Sequence, residues 1–281
     1  MGGAISAGRR LLCAGPPARL IVAGAALTIA VTAAAAMAGG LVTMLAHAAG
    51  GAGVMIEALA LTTMLSLRDL VRAARRVQAA LRAGDLDGAR RAVGRDLVSR
   101  PTARLGAGQV AAATIESLAE NLTDSVLAPA AFYLAFGLPG AFAYRAVNTA
   151  DAMIGYRHGA LEHFGKTAAR LDDALNFIPA RLAAFAIVAA AVLSRAAAAH
   201  AARTMLAQHD RTQSPNAGWT MAAMAGALRV RLEKSGHYVL GAGPDPSTDD
   251  ISVAVRLVVM AALLAMAVMG LFVEVLPSIV S

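Results

Sequence analysis

The stretch IESLAENLTDSVLAPAAFYLAFGLPGAFAYR, residues 115–145, joins two kinds of sequence. Its first half carries Glu116, Glu120 and Asp124 at intervals of four, with Asn121 among them. On an α-helix four residues advance about 400°, so the three carboxylates form one slowly drifting stripe. Like charges at that spacing cost roughly 0.2–0.5 kcal/mol per pair, and no cation is interleaved. The second half, 126–144, is apolar and close to the ~20 residues that cross a hydrocarbon core. GLPG at 137–140 interrupts it, because glycine and proline together break a helix. A kinked span or a re-entrant hairpin is expected there. A polar helical stripe running into a broken apolar run belongs to an all-α membrane protein.

The rest of the chain agrees with that class. Of 281 residues 58% are hydrophobic and only 15% charged, where a soluble domain carries about 25% charged residues. Mean hydropathy is +0.60. Further apolar runs lie at 20–46, 54–67, 182–202 and 251–276. The polar segments 68–125, 145–181 and 203–250 hold the residues with chemical potential. The chain reads as one membrane-embedded domain, a polytopic integral membrane protein with helical cytoplasmic segments and with broken or re-entrant helices allowed. Arg9, Arg10 and Arg19 precede the first run and ten arginines occupy 68–110. The positive-inside rule therefore puts both flanks of the first hairpin in the cytoplasm. Within 68–110, Leu70, Ala74, Val77 and Leu81 share one helical face, Gly84 suits a helix stop, and Asp85 suits the cap of the next helix. The net charge of +7 is assigned to topology; nucleic acid is excluded, since no basic helix interleaves with aromatics.

Four stretches concentrate chemistry. Beside the opening one stand YRAVNTADAMIGYRHG, with Arg145, Asn148, Asp151, Tyr156 and Arg157; ARLDDALNFIPAR, with Arg170, Asp172, Asp173, Asn176 and Arg181; and SPNAGW, with Asn216. Carboxylates and carboxamides are hard oxygen donors suited to Mg²⁺, which takes one or two protein carboxylates and leaves other positions to water and phosphate. Interleaved arginines suit phosphate oxygens. The pattern points to a magnesium–nucleotide or polyphosphate site at a membrane surface. Any one of these acids read alone is more often a helix cap, a surface charge or an ion-pair partner. FGKT at 164–167 lacks the first glycine of a phosphate-binding loop, since position 160 is Ala, and no strand pattern precedes it. His158 and His163 are five apart, not a same-face metal pair. Cys13 is the only cysteine, so no intrachain disulfide or Cys-rich metal site exists.

Taken together, the run from IESLAENLTDSV to ALNFIPARL, with VGRD at 93–96 and SPNAGWTMAAMAGALRVRL at 214–232, resembles the adenosylcobinamide-phosphate synthases, membrane proteins of cobalamin biosynthesis. The resemblance covers most of the chain. It implies an ATP-dependent ligase that joins adenosylcobyric acid to (R)-1-aminopropan-2-ol or its O-phosphate, giving adenosylcobinamide or its phosphate. ATP and Mg²⁺ would be required, in a multi-pass protein of the cell membrane whose active site faces the cytoplasm. Under that resemblance Glu116, Glu120, Asp124, Asp172 and Asp173 form the catalytic set, with Glu120, Asp124 and Asp172 as magnesium ligands. Arg95, Arg145, Arg157 and Arg170 hold phosphates or propionates, and Asn121, Asn148, Asp151, Tyr156, Asn176 and Asn216 orient substrate. Contact with the later enzymes of nucleotide-loop assembly stays open.

Two positions depart from the family pattern. Thr220 replaces the usual proline after SPNAGW. Members generally open with an apolar helix and a GDP…HPV element followed by something like MGRAI. This chain begins MGGAI, and the expectation is a start at an internal methionine. The rival readings are a magnesium-dependent membrane prenyltransferase, whose motifs usually cluster more Asp per turn, and a transporter with acids along a pathway.

Overall fold

The computed structural model describes residues 1–280 along the backbone and 1–271 in their side chains. In chain order the helices are α1 (Gly2–Leu12), α2 (Pro17–Ala48), α3 (Gly53–Met64), α4 (Leu67–Arg82), α5 (Leu86–Asp96) and α6 (Ala107–Leu122). After a π-helical turn, Thr123–Leu127, come α7 (Ala128–Ile154), α8 (Leu161–Phe164), α9 (Lys166–Leu175), α10 (Phe177–Leu193), α11 (Ala198–Gln208) and α12 (Ala217–Leu228). A short hairpin, β1 (Leu232–Lys234) and β2 (Tyr238–Leu240), precedes α13 (Thr248–Val280). The last residues of the expected run 251–276 have side chains outside the described residues.

Among the described residues four helical stretches are long and apolar enough to cross a membrane: Pro17–Ala48, Gly50–Arg82, Ala107–Ile154 and Thr248–Leu271. The broken pair α9–α10 makes a fifth if taken as one span. Large apolar side chains of α2 such as Val22, Met37 and Met44 stand exposed, as they must where lipid rather than protein covers them. The protein is a polytopic α-helical membrane protein.

The chain folds as two compact units. The first comprises 1–65 and 128–176. Here α7 is broken at Gly137, whose φ of +64° and ψ of −159° lie outside the helical region. A straight helix would separate residues twelve apart by about 18 Å. Yet the rings of Phe132 and Tyr144 stack at 5.3 Å between centroids, so the two halves of α7 double back on one another. A Cβ on Gly140 would come within 2.5 Å of the Phe132 carbonyl oxygen, which is why the turn tolerates only glycine there. Gly39 of α2 packs against the backbone of Leu138 and Pro139, giving the broken tip its seat. Around Ile5, Leu20, Ile154, Leu161 and Phe164 a small core joins α1, α2, α7 and α8.

The second unit comprises 66–127 and 177–281. Its main core is built on α6, α10, α12 and α13, through residues such as Ile115, Leu122, Ile187, Met224 and Leu257. Alanine and glycine let α12 sit close: a Cβ on Gly218 would strike the carbonyl of His209, and one on Gly226 that of His200. A second core joins α4, α5 and α6 through Val77, Ala89, Val93 and Val110. Leu70, Ala74 and Val77 are buried as the periodicity predicts. Gly84 adopts φ +72°, and Asp85 caps α5 by accepting a 2.7 Å bond from Gly88 N–H.

Candidate functional site

Each of the two units gathers part of the predicted set. In the first unit, α7 beyond its break and α9 bring NTAD and RLDD side by side. The Asn148 amide donates to Asp172 Oδ1 at 3.2 Å, and the Asn176 amide donates to Asp172 Oδ2 at 3.0 Å. The other ends of those amides are held as well. The Tyr144 hydroxyl donates to Asn176 Oδ1 at 2.9 Å, and Arg145 Nη1 approaches Asn148 Oδ1 at 3.4 Å. Thus one carboxylate is bracketed by two carboxamides, each fixed from behind. Asp173 is half-buried beside it. Asp151 is half-buried one turn beyond Asn148, and its carboxylate packs against Gly155, where a Cβ would meet Oδ1. Tyr156 lies against His158 at 5.6 Å between rings. Arg157 and Arg170 are exposed.

In the second unit Glu116 and Glu120 of the stripe line one cleft, and Asn121 beside them lines another. One, of about 230 Å³, is lined by Ser99, Arg100, Glu116, Glu120, Lys234 and Tyr238 among others. Glu116 is 5% exposed; its Oε2 accepts from Arg100 at 3.1 Å, while Oε1 accepts no hydrogen bond among the described residues. Burial, reinforced by the nearby Glu116 and Glu120 charges, pushes the Tyr238 phenol above its ordinary range. The other cleft, of about 440 Å³, has Arg76, Arg95, Asp96, Asn121 and Ser125 in its wall. Leu97 lines both clefts, and Ser117 donates to its carbonyl oxygen at 3.0 Å. The Asn121 amide in turn donates to the Ser117 carbonyl at 3.0 Å. Arg76 and Arg95 both grip Asp96, at 3.0 and 2.8 Å. The Arg95 hydrogen bond leads in holding the Asp96 carboxyl down at about 2. Asp124 follows in the π-helical turn, a local insertion that recurs at functional sites.

Asn216 immediately precedes α12 and is buried. Its Oδ1 faces Arg181 Nη1 at 3.3 Å, and the Ser214 hydroxyl accepts from Asn216 N–H at 3.2 Å. Arg181 lies over the rings of Phe177 and Trp219, at 3.5 and 4.8 Å. Thr220 donates to the Ala217 carbonyl oxygen at 3.2 Å, so it closes a helical turn.

Among the described residues no three His, Cys, Asp or Glu side chains converge as a metal-binding group. Magnesium held by one or two carboxylates needs no such trio; of the three expected ligands, Glu120 and Asp124 belong to the second unit and Asp172 to the first. Tyr144, Arg76, Arg100, Lys234 and Tyr238 join these clusters without belonging to any of the four sequence stretches' candidate residues. Tyr144 sits in an apolar run, and Tyr238 reaches the cleft from a hairpin more than a hundred residues beyond α6.

The model of the CobD/Cbib protein family matches residues 1–273. The cobalamin biosynthesis protein CobD of Dehalococcoides mccartyi is 55% identical over 147 residues, 52% of this chain and 47% of that protein. A probable cobalamin biosynthesis protein CobD of Methanocaldococcus jannaschii is 43% identical over 183 residues, 65% of this chain and 59% of that protein. One from Methanothermobacter thermautotrophicus is 44% identical over 220 residues, 78% of this chain and 72% of that protein. The chain spans about half the length of the first of these relatives. No solved structure matches. The chain belongs to the CobD/Cbib protein family.

Proposed function

We propose that the chain acts in cobalamin biosynthesis as an ATP-dependent amide ligase. It would join a propionate carboxylate of adenosylcobyric acid to the amine of (R)-1-aminopropan-2-ol or its O-phosphate. The observation that carries the reading is Asp172, bracketed by Asn148 and Asn176 with Arg145 behind one of them. Family membership supplies the pathway.

A carboxylate resists an amine because neither of its oxygens leaves. Attack of the carboxylate oxygen on the terminal phosphorus of ATP forms an acyl phosphate and releases ADP. Attack of the amine nitrogen on that carbonyl then forms the C–N bond and releases inorganic phosphate. Magnesium, when bound, neutralises charge on the transferring phosphoryl group. Asp172 is the residue that would orient that charge or take the amine proton, and its two oxygens are already aimed by amides. Arg95 and Asn121, chosen apart in the sequence, line one cleft with Arg76 and suit anionic oxygens. Both sites are assigned to the cytoplasmic face of the cell membrane, where ATP is.

The purified protein in lipid nanodiscs is expected to hydrolyse ATP only when adenosylcobyric acid and the amine are both present, with the amide product seen by mass. Asp172→Asn should lower that rate by about 100-fold or more. ATP consumption indifferent to the amine would overturn the proposal.

A further inference from the structure

The geometry points to Tyr144 as a positioning residue that acts on Asp172 through the amide of Asn176. An Asn side chain presents an acceptor at one end and a donor at the other, and its neighbours decide which way it faces. Asn176 is 3% exposed and Tyr144 is 1% exposed, so water does not reach the pair freely. Asp172 Oδ2 needs a donor, and it receives Asn176 Nδ2 at 3.0 Å. That orientation turns Asn176 Oδ1 toward Tyr144, whose hydroxyl donates to it at 2.9 Å. Without the hydroxyl, a buried carbonyl oxygen loses its donor, and the amide is no longer held at both ends.

The phenol itself is placed by packing. Its ring stacks on Phe132 with planes 12° apart, across the break of α7. The folded-back tip therefore fixes the ring, the ring fixes the hydroxyl, and the hydroxyl fixes the amide that holds the carboxylate. Asn148 brackets the other oxygen from one turn further along α7. The proposal rests on the reading of Asp172 as the acting carboxylate, and its test separates the two.

Tyr144→Phe keeps the stacked ring and removes only the hydroxyl. In nanodiscs, thermal midpoints and steady-state rates would be measured for the parent, Tyr144→Phe, Asp172→Asn and the double variant. Residue 172 as Asn presents no carboxylate for the Asn176 amide to aim, so what the hydroxyl contributes through that amide is already lost. The Tyr144→Phe loss of midpoint should fall to less than half in that background. For amine-dependent ATP hydrolysis, Tyr144→Phe should cut kcat about tenfold with KM for ATP within about twofold. In the Asp172→Asn background it should cost no more than about twofold. Losses that simply add, in midpoint and in rate, would overturn the positioning role. Coupled midpoints in a protein without amine-dependent hydrolysis would uphold the positioning and count against the ligase. Should Tyr144→Phe fail to fold, Phe132→Leu, which unstacks the Tyr144 ring and frees its hydroxyl without touching Asn176 or Asp172, is run through the same cycle and read by the same criteria.

Discussion

Arg100 and Glu116 show what a single buried charge demands. The pair lies on one unit at 3.1 Å, with side chains 21% and 6% exposed. Removing the cation leaves a carboxylate that is 6% exposed without its ion pair. Arg100→Met should therefore destabilise by about 3–5 kcal/mol, and adding Glu116→Gln should recover most of the loss, since neutralising both partners removes the stranded charge. Thermal midpoints of the two singles and the double decide it. Asp96 makes the opposite case, an acid held ionised near the surface by Arg95 and Arg76. Its carboxyl titrates lower folded than unfolded, so its stabilisation is fully present above about pH 4 and lost as pH falls through about 2. The midpoint gap between the parent and Asp96→Asn should close across that window, and a gap unchanged at pH 2 would contradict the assignment. The sequence made the acids legible, because three carboxylates on one helical face are conspicuous in a chain poor in charge. Their partners were not legible. Arg100 was one of ten arginines in its segment, and nothing local distinguishes the one whose fold brings it to Glu116.

At the scale of elements, local chemistry was readable where a residue type is nearly obligatory. GLPG announced a break, and the break is there; Gly84 and Asp85 announced a stop and a cap, and both are formed. Gly137 sits at positive φ with extended ψ, a region nearly closed to side chains. Gly137→Ala should cost about 1–3 kcal/mol of stability. It should also loosen the Phe132–Tyr144 stack, read as faster hydrogen exchange in the second half of α7; unchanged exchange with a lowered midpoint would place the strain elsewhere. Other elements had no comparable signal. The π-helical turn at Thr123–Leu127 follows from how α6 and the next run are packed, and TDSVL carries no residue that demands it. The β1–β2 hairpin has three residues per strand, too few for an alternation to stand out, although Gly236 at φ +75° marks its turn.

For the whole molecule, the unit boundaries fall at 65/66, 127/128 and 176/177. None has the glycine- or proline-rich linker that usually announces a boundary, so composition could give the membrane class but not this division. Charge instead supplies an argument for the orientation. Arginines crowd α4 and α5, and the positive-inside rule places such a segment in the cytoplasm. The ligase proposal makes the same demand of NTAD and RLDD independently, because ATP is available on that side. The two arguments are tested together in a Cys13→Ser background, since Cys13 is the only native thiol. Single cysteines at the exposed positions Arg91 and His158 should each react with a membrane-impermeant maleimide in inverted vesicles and stay protected in right-side-out ones. Labelling of Arg91→Cys from the outside would refute the charge argument. Labelling of His158→Cys from the outside, with Arg91→Cys inside, would leave the arginine argument intact and remove the Asp172 cluster from the compartment that supplies its nucleotide.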